Sequence, residues 1–388
     1  MDDRPLLDGV TVLDLASVGP AVRASRWLAD WGADVVKVGP VPRDAGVQIV
    51  PPPYAYSAHR GMRRVLLDLK SDGGREAFLR LATVADVVIE SFRPGVVDRL
   101  GIGHEAVRDR NPGIVYCSTT GYGQSGPRAG WAGHDLNYLA VGGYLHCSGR
   151  DCNGGPALPG ATVADSAGGG LQAVAAICAA LAARAVTGEG TRLDVSIADG
   201  VLSLMSLAVD EYLAEGTRPG PRHGLLTGRY AWYDVYRAAD GRWLAVGAIE
   251  PHFFANLCRA LECDRWIDHQ HDDDAVDAMR SDFAAAFARR SRDEWVADLG
   301  PADTCVSAVH DITEVVDDEQ FRARGLFTEV IHPTAGPIGQ VAAPLAGQVD
   351  ATTLAIHDQA VPCTDEVLGA AGFTDDELSV LRAEGVIA

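Results

Sequence analysis

Apolar and polar residues alternate in blocks along the first 120 positions. "VTVLDL" (10–15) is a β-branched apolar run, the pattern of a buried strand. "PAVRASRWLADWGA" (20–33) has the apolar spacing of a helix and stops at Gly32, ahead of a second strand, "DVVKV" (34–38). "SDGGREAFLRLATVA" (71–85) predicts another helix, followed by the strand "DVVIES" (86–91). A short helix, "GHEAVRDRNP" (103–112), ends at Pro112, and "IVYCSTTGY" (114–122) is again a strand. Strands alternating with helices predict βαβ units, hence an α/β fold with a parallel sheet covered on both faces.

The pattern then changes. A long Ala-rich helix covers about 165–186, "TRLDVSIADG" follows, and another helix runs through "LAVDEYLAEG". Residues 216–229, which include "TRPGPRHGLLTGR", are rich in Pro, Gly and Arg and read as a linker. "YAWYDVYRAADGRWLAVGA" (230–248) reads as a hairpin turning at "AADG", with helices over about 251–263, 274–290 and 292–299. The expected organisation is a large Rossmann-like domain over 1–215, completed by the C-terminal segment 331–388. A small α+β domain would cover 230–330. The final helix, "TDDELSVLRAEG", belongs to the returning tail. No internal repeat or low-complexity tract is visible.

Composition narrows the function classes. The chain has 388 residues, ample for a sizeable core, and a net charge of −20, which argues against nucleic acid as a partner. No two of the eight cysteines form C-x-x-C, and most sit in apolar runs such as "AAICAAL". They read as thiols in a reducing cytoplasm rather than disulfides or metal ligands. The acidic start, "MDDRPLLDG", lacks the apolar core of a signal peptide. The most apolar segment, "LQAVAAICAALAARAV", has 16 residues, too short and too weakly apolar to span a bilayer.

Several stretches carry candidate chemistry. "GYGQSG" (121–126) matches G-x-G-x-x-G, but Pro127, Arg128, Ala129 and Gly130 follow where a helix should open, so it reads as a loop and not a dinucleotide site. Ser125 lacks the G-x-S-x-G elbow of a hydrolase. "HQHDDD" (269–274) places His269 and His271 two apart, off a shared helix face, and reads as an acidic helix start rather than a metal site. Arg60, Arg63, Arg64 and Lys70 fall within 11 residues, and Arg93 and Arg99 follow a strand. They are either solvated surface charge or the cations a phosphate-rich ligand needs at the carboxyl ends of parallel strands. Asp165 opens the Ala-rich helix, with Gly168, Gly169 and Gly170 in its first turns. Those glycines weaken a helix and are tolerated where something approaches the backbone closely. Glu250 ends "LAVGAIE", just before Pro251. In "AGHDLNYLAVGGYL" (132–145), His134 and Asp135 stand together at a helix start.

Seven of these stretches, in order from residue 9 to residue 254, resemble the family III CoA-transferases (CaiB/BaiF), and within them the α-methylacyl-CoA racemases. They are "GVTVLDLASVGP…WLADWGADVVKV", "RGMRRVLLDLKSDGGREAFLRL", "ADVVIESFRPGVVDRLGIG", "GIVYCSTTGYGQSGP", "AGHDLNYLAVGG", "VADSAGG" and "LAVGAIEPHFF". The resemblance implies a Rossmann-like large domain, a small domain, and an interlocked homodimer with active sites between the chains. It implies an acyl-CoA thioester as substrate, coenzyme A being part of that substrate, and no prosthetic group. In the transferases an Asp at the position of Asp165 attacks the thioester; in the racemases it moves a proton at Cα. Transferases commonly carry an aromatic where this chain has His134. The "GHD" and "GAIEP" motifs therefore favour racemisation. Two groups of different pKa on opposite faces of the α-carbon suit that reaction. The expected roles are His134, oriented by Glu250, on one face and Asp165 on the other. The Asp135 backbone N–H would face the enolate oxygen, while its side chain holds the local network. Arg60, Arg63, Arg64, Lys70, Arg93 and Arg99 are candidates for the CoA phosphates. Gly39, Met62, Arg229 and the stretch 41–59 depart from the family pattern. The departures leave the acyl group open among branched fatty, sterol-type and other 2-methylacyl chains.

Overall fold

The computed structural model describes residues 4–16, 18–42, 52–342, 349–357 and 361–388. Residues 43–51, within the divergent stretch 41–59, and residues 1–3 of the acidic start lie outside the described residues. The chain divides into two compact units. One comprises Met1–Gly142, Pro159–Met205 and Glu319–Ala388; the other comprises Gly143–Leu158 and Ser206–Asp318.

The first unit is built on a six-stranded sheet: β1 (Thr11–Asp14), β2 (Asp34–Gly39), β3 (Met62–Leu66), β4 (Val87–Glu90), β5 (Val115–Thr120) and β6 (Thr191–Ser196). The order is β3-β2-β1-β4-β5-β6 and every pairing is parallel. The order reverses between β1 and β4, the place where doubly wound folds open a crevice at the strands' carboxyl ends. Adjacent strand residues face opposite cores. Leu13, Val36, Val88 and Tyr116 point to one, Val12, Val35, Val87 and Val115 to the other. The second core is covered by helix α1 (Pro20–Asp30) and by residues 173–180 of the Ala-rich helix. The first is covered by helix α2 (Asp72–Ala82), whose N-cap Ser71 accepts the Gly74 N–H. Val367, Leu368, Leu378, Val386 and Ile387 pack into that same core. The tail thus returns to the first unit, and Ile387 even forms a β-bridge to Leu67.

Four expectations need correction. Residues 62–66, which stand out in the sequence for their charge, form an edge strand, with Arg63 and Arg64 interleaved between the buried Met62 and Val65. Helix Ser206–Glu215 groups with the second unit rather than with the large domain. The boundary at 330/331 cuts through an antiparallel pair, Phe327–His332 with Gly336–Val341, so residues from 319 onward go with the first unit. The Ala-rich segment is also longer than its 16 apolar residues. Ala164–Thr187 is a continuous 24-residue helical stretch, long and apolar enough by those two measures to cross a membrane.

The second unit carries a three-stranded antiparallel sheet. The expected hairpin is present, Tyr233–Arg237 with Trp243–Gly247, turning through Gly241 at φ +83°, and Val306–Ala308 pairs beside it. Its core gathers Trp232, Phe254, Phe283, Phe287 and Trp295.

Arg60 explains how the tail is tied down. Its Nε and Nη2 donate to the two Asp30 oxygens at 2.9 and 3.0 Å, and its Nη1 donates to Gln340 at 2.7 Å. Both side chains of the pair are sealed from solvent. Such a pair is costly to break, because one charge is left buried alone. Arg60→Met, which among the described residues leaves Asp30 the more distant Arg26 at 3.7 Å as its cation, is expected to lower the unfolding free energy by about 3–5 kcal/mol in urea titration. Adding Asp30→Leu should recover part of that loss.

Candidate active site

Asp165 sits on an unusual piece of helix. Ala164–Leu171 winds as a π-turn before the regular helix Gln172–Thr187, a local widening that recurs at functional sites. The three glycines are there because the chain's own helices press on this turn. A Cβ on Gly169 would lie 2.6 Å from the Pro20 Cβ, and one on Gly170 would lie 3.0 Å from the Trp27 ring. Helix Ile197–Leu204 meets the turn from another side. A Cβ on its Gly200 would lie 1.9 Å from the Gly168 carbonyl oxygen.

His134 and Asp135 arrive on a neighbouring helix start. His134 is the extended N-cap of helix Asp135–Val141, and its N–H donates to Asn137 Oδ1 at 3.0 Å. The Asp135 N–H is first in the helix, so no carbonyl one turn back accepts it. The Asp135 carboxylate reaches across to accept the Asp165 N–H at 2.9 Å. This bond joins two helix starts 30 residues apart in sequence. Tyr138 braces the same corner, donating to the Gly133 carbonyl at 2.6 Å. Its hydroxyl takes the space where a Cβ on Gly121 would sit, 2.5 Å away. The "GYGQSG" loop therefore owes Gly121 to packing. Gly123 and Gly126 take positive φ in turns, and no helix follows.

The electrostatics single out Asp165. Burial raises its pKa, the Asp135 charge raises it further, and Arg23 and His134 oppose the rise. A half-buried carboxyl held above its ordinary range is suited to take and give a proton. His134 is exposed.

Glu250 belongs to the second unit. It is the exposed N-cap of helix Pro251–Ala260. The loop before it is fixed by the buried Gln270, whose amide donates to the Ile249 carbonyl at 2.7 Å, while the Gln270 carbonyl accepts the Trp232 indole N–H. A cleft of about 530 Å³ opens in this unit beside Gly247, Tyr233 and Cys305. One wall is Asp234, a nearly buried carboxylate held by both Arg222 and Arg280.

The six candidate cations divide. Arg60 is withdrawn as a phosphate contact, because its guanidinium is sealed inside the Asp30 pair. Arg63 is bonded to Asp34 and to Glu366. The Arg64 guanidinium lies over Gly39, 3.1 Å from where a Cβ would be. An acidic residue after "VVKV" would have to displace it. Lys70, Arg93 and Arg99 are exposed, on segments that follow β3 and β4. Met62 is core, which accounts for an apolar residue at that departure. Arg229 pairs with Asp273 at 2.7 Å. In "HQHDDD", His269 bonds Asp272 while His271 packs edge-on against Tyr230 and Trp232, so the two rings serve separate partners. Among the described residues no cluster of three or more His, Cys, Asp or Glu has metal-binding geometry.

Two contributors were not singled out from sequence. Residues 56–59 all have φ between 50° and 56°, a left-handed turn made without glycine and costing about 1–2 kcal/mol per residue. It places the Tyr56 hydroxyl to accept the Gly19 N–H at 3.1 Å, at the start of α1, and buries His59, whose pKa is pushed down to about 4 by burial and by Lys37. Arg23, on α1, donates to Thr162 Oγ1 at 2.9 Å, three residues before Asp165. No periodicity marks either feature; only the Gly19-Pro20 pair hints at a special helix start.

Comparison with known proteins places this geometry. The model of CoA-transferase family III matches residues 7–366. The α-methylacyl-CoA racemase of Homo sapiens is 34% identical over 98% of this chain and 97% of its own length. Succinyl-CoA:glutarate CoA-transferase of Homo sapiens is 30% identical over 87% of this chain and 79% of its own. A CaiB/BaiF family protein from Brucella suis superposes with a TM-score of 0.75 at 27% identity, covering 98% of this chain and 100% of that one.

The Asp135–Asp165 contact makes a direct prediction. Asp135→Asn keeps an oxygen for the Asp165 N–H but removes the like charge, so the Asp165 carboxyl should titrate at lower pH. A ¹³C-carboxyl NMR titration, assigned with Asp165→Asn, checks the direction. An unchanged or higher midpoint would show that the Asp135 charge is not felt.

Proposed function

The chain belongs to CoA-transferase family III, and from that membership we propose that it is an acyl-CoA racemase, inverting the α-carbon of 2-methylacyl-CoA thioesters. The observation that carries the reading is the hydrogen bond from the Asp165 N–H to Asp135, which brings His134 and Asp165 into one corner. The thioester carbonyl acidifies the neighbouring C–H. Neutral His134 takes that proton and becomes imidazolium, while the electron pair moves into the carbonyl to give an enolate. The Asp135 N–H, at a helix start, faces the enolate oxygen. Protonated Asp165 then delivers its proton to the opposite face of the same carbon and is left as carboxylate. In the reverse direction the two exchange roles. Glu250 is assigned as the partner of His134 on the strength of its "GAIEP" motif. The chemistry uses side chains of the protein and calls for no prosthetic group or metal; coenzyme A enters as part of the substrate.

A second reading stays in play because a transferase relative is 30% identical. There Asp165 attacks the thioester carbonyl, releases CoA and carries the acyl group as a mixed anhydride. His134, where transferases commonly have an aromatic, favours the racemase.

Lys70, Arg93 and Arg99 are proposed to hold the CoA phosphates. An interlocked homodimer is proposed on the exposure of Leu202, Leu204, Leu207, Tyr212 and Leu213, on consecutive helices, together with Leu171 and Val186. Apolar faces of this kind call for a cover. A second copy, rather than lipid, is the proposed cover for the helix Ala164–Thr187. All eight cysteines are free thiols, which supports the proposed cytoplasmic setting.

In deuterated water the wild type should wash deuterium into Cα of a 2-methylacyl-CoA, and His134→Ala and Asp165→Asn should each lose about 10²–10⁴-fold of that rate. No exchange with any such thioester, joined to a hydroxylamine-trapped acyl group on Asp165, would establish the transferase instead. Sedimentation equilibrium without detergent should give twice the chain mass; a monomer would remove the dimer.

A further inference from the structure

Arg23 takes no part in the proton transfers above, yet it contacts the segment that carries Asp165 at two points, Thr162 and Gly170. Its Nη2 bonds Thr162 on the segment entering the π-turn. Its Cβ packs against the turn itself, 3.2 Å from where a Cβ on Gly170 would lie. On its other side the guanidinium stacks over the Tyr56 ring, 5.5 Å from the centroid, and Tyr56 is held by the left-handed turn and by Gly19. The Nε–H is shut off from solvent and finds no hydrogen-bond partner among the described residues. Arg23 also closes no ion pair there, so no other carboxylate cancels its charge in contact. The guanidinium itself is only half-buried, its Nη2 bond to Thr162 lying at the surface, but an Nε–H sealed from water without a partner is costly to keep.

We propose that Arg23 is the positioning cation of Asp165. It anchors the segment 162–165 through Thr162 and supplies the positive charge against which the Asp165 carboxylate ionises. The inference rests on the reading of Asp165 as a proton-transfer group. The charged and titratable groups facing Asp165 are Asp135, His134 and Tyr138 from one helix and Arg23 from α1. Helix Ile197–Leu204 meets the turn with Ile197, Gly200 and Val201, and the end of β6 beside it is Val195–Ser196; none of these carries charge. Asp135 is a like charge that favours the protonated acid. Arg23 is thus the fixed cation that opposes it, since His134 must be neutral before it can act as base.

Removing Arg23 raises the Asp165 pKa, so on the acid side more Asp165 is protonated and less is available as base. The two directions of racemisation shift together, because the equilibrium constant fixes the ratio of their kcat/KM values. The test is the pH profile of kcat/KM for α-proton exchange in wild type, Arg23→Gln and Arg23→Lys. In Arg23→Gln the acidic limb should move to higher pH, with the rate on that limb falling roughly three- to tenfold and the plateau holding within about twofold. Arg23→Lys should return the limb toward its wild-type place. A limb that stays fixed while the plateau falls in both variants would show a purely structural role and overturn the proposal. If the wild type exchanges no proton with any 2-methylacyl-CoA, the racemase reading fails rather than this one. The Asp165 carboxyl titration in wild type and Arg23→Gln then decides the charge coupling by itself. An unshifted midpoint refutes it, and an upward shift supports it.

Discussion

The site depends on a contact between two backbones. Gly200 meets the carbonyl of Gly168 so closely that no side chain fits between them. Gly169 and Gly170 let the same turn press on α1. Close packing of this kind leaves a helix few ways to move, since interiors yield little to strain. Asp165, three residues earlier, inherits that fixity. The conformational freedom of three glycines, a liability in an isolated helix, is offset by two helices clamped against them.

A second constraint is electrical. The Asp165 carboxyl feels a like charge, Asp135, and an opposite charge, Arg23. Burial alone would favour the neutral acid. The two charges push the Asp165 pKa in opposite directions. The buried Asp14–Lys37 pair, 2.8 Å apart with Asp14 also accepting the Ala16 N–H, fixes the turn leaving β1 that leads toward α1.

Much of this was legible in the sequence, and the exceptions have physical reasons. Hydrophobic periodicity marked β1, β2, β4, β5, α1 and α2 because their apolar residues repeat at strand or helix spacing. It missed β3, whose edge position admits arginines that hide the pattern. It misplaced the unit boundaries because Ser206–Glu215 is equally helical in either unit, and nothing local reveals where a helix packs. His134, Asp135 and Asp165 were readable from motif, and the structure adds the bond that joins them. Arg60 was misjudged because charge density near strand ends does not distinguish a solvated guanidinium from one paired with Asp30. Arg23 and the left-handed turn at 56–59 went unseen, since a cation–aromatic contact and a positive φ on ordinary residues leave no repeating trace.

The returning tail has a consequence for how the protein is made. The second unit is inserted between segments of the first, and the first core includes Val386 and Ile387, which follow the inserted unit in sequence. On the ribosome residues emerge N-terminal first and domains tend to fold as they appear. Here the inserted unit has all its residues available while the surrounding one still lacks a wall of its core. The six-stranded sheet would wait, partly uncovered, until Val386 and Ile387 have emerged. Stalled or truncated synthesis would therefore leave a folded small unit attached to an exposed apolar sheet face.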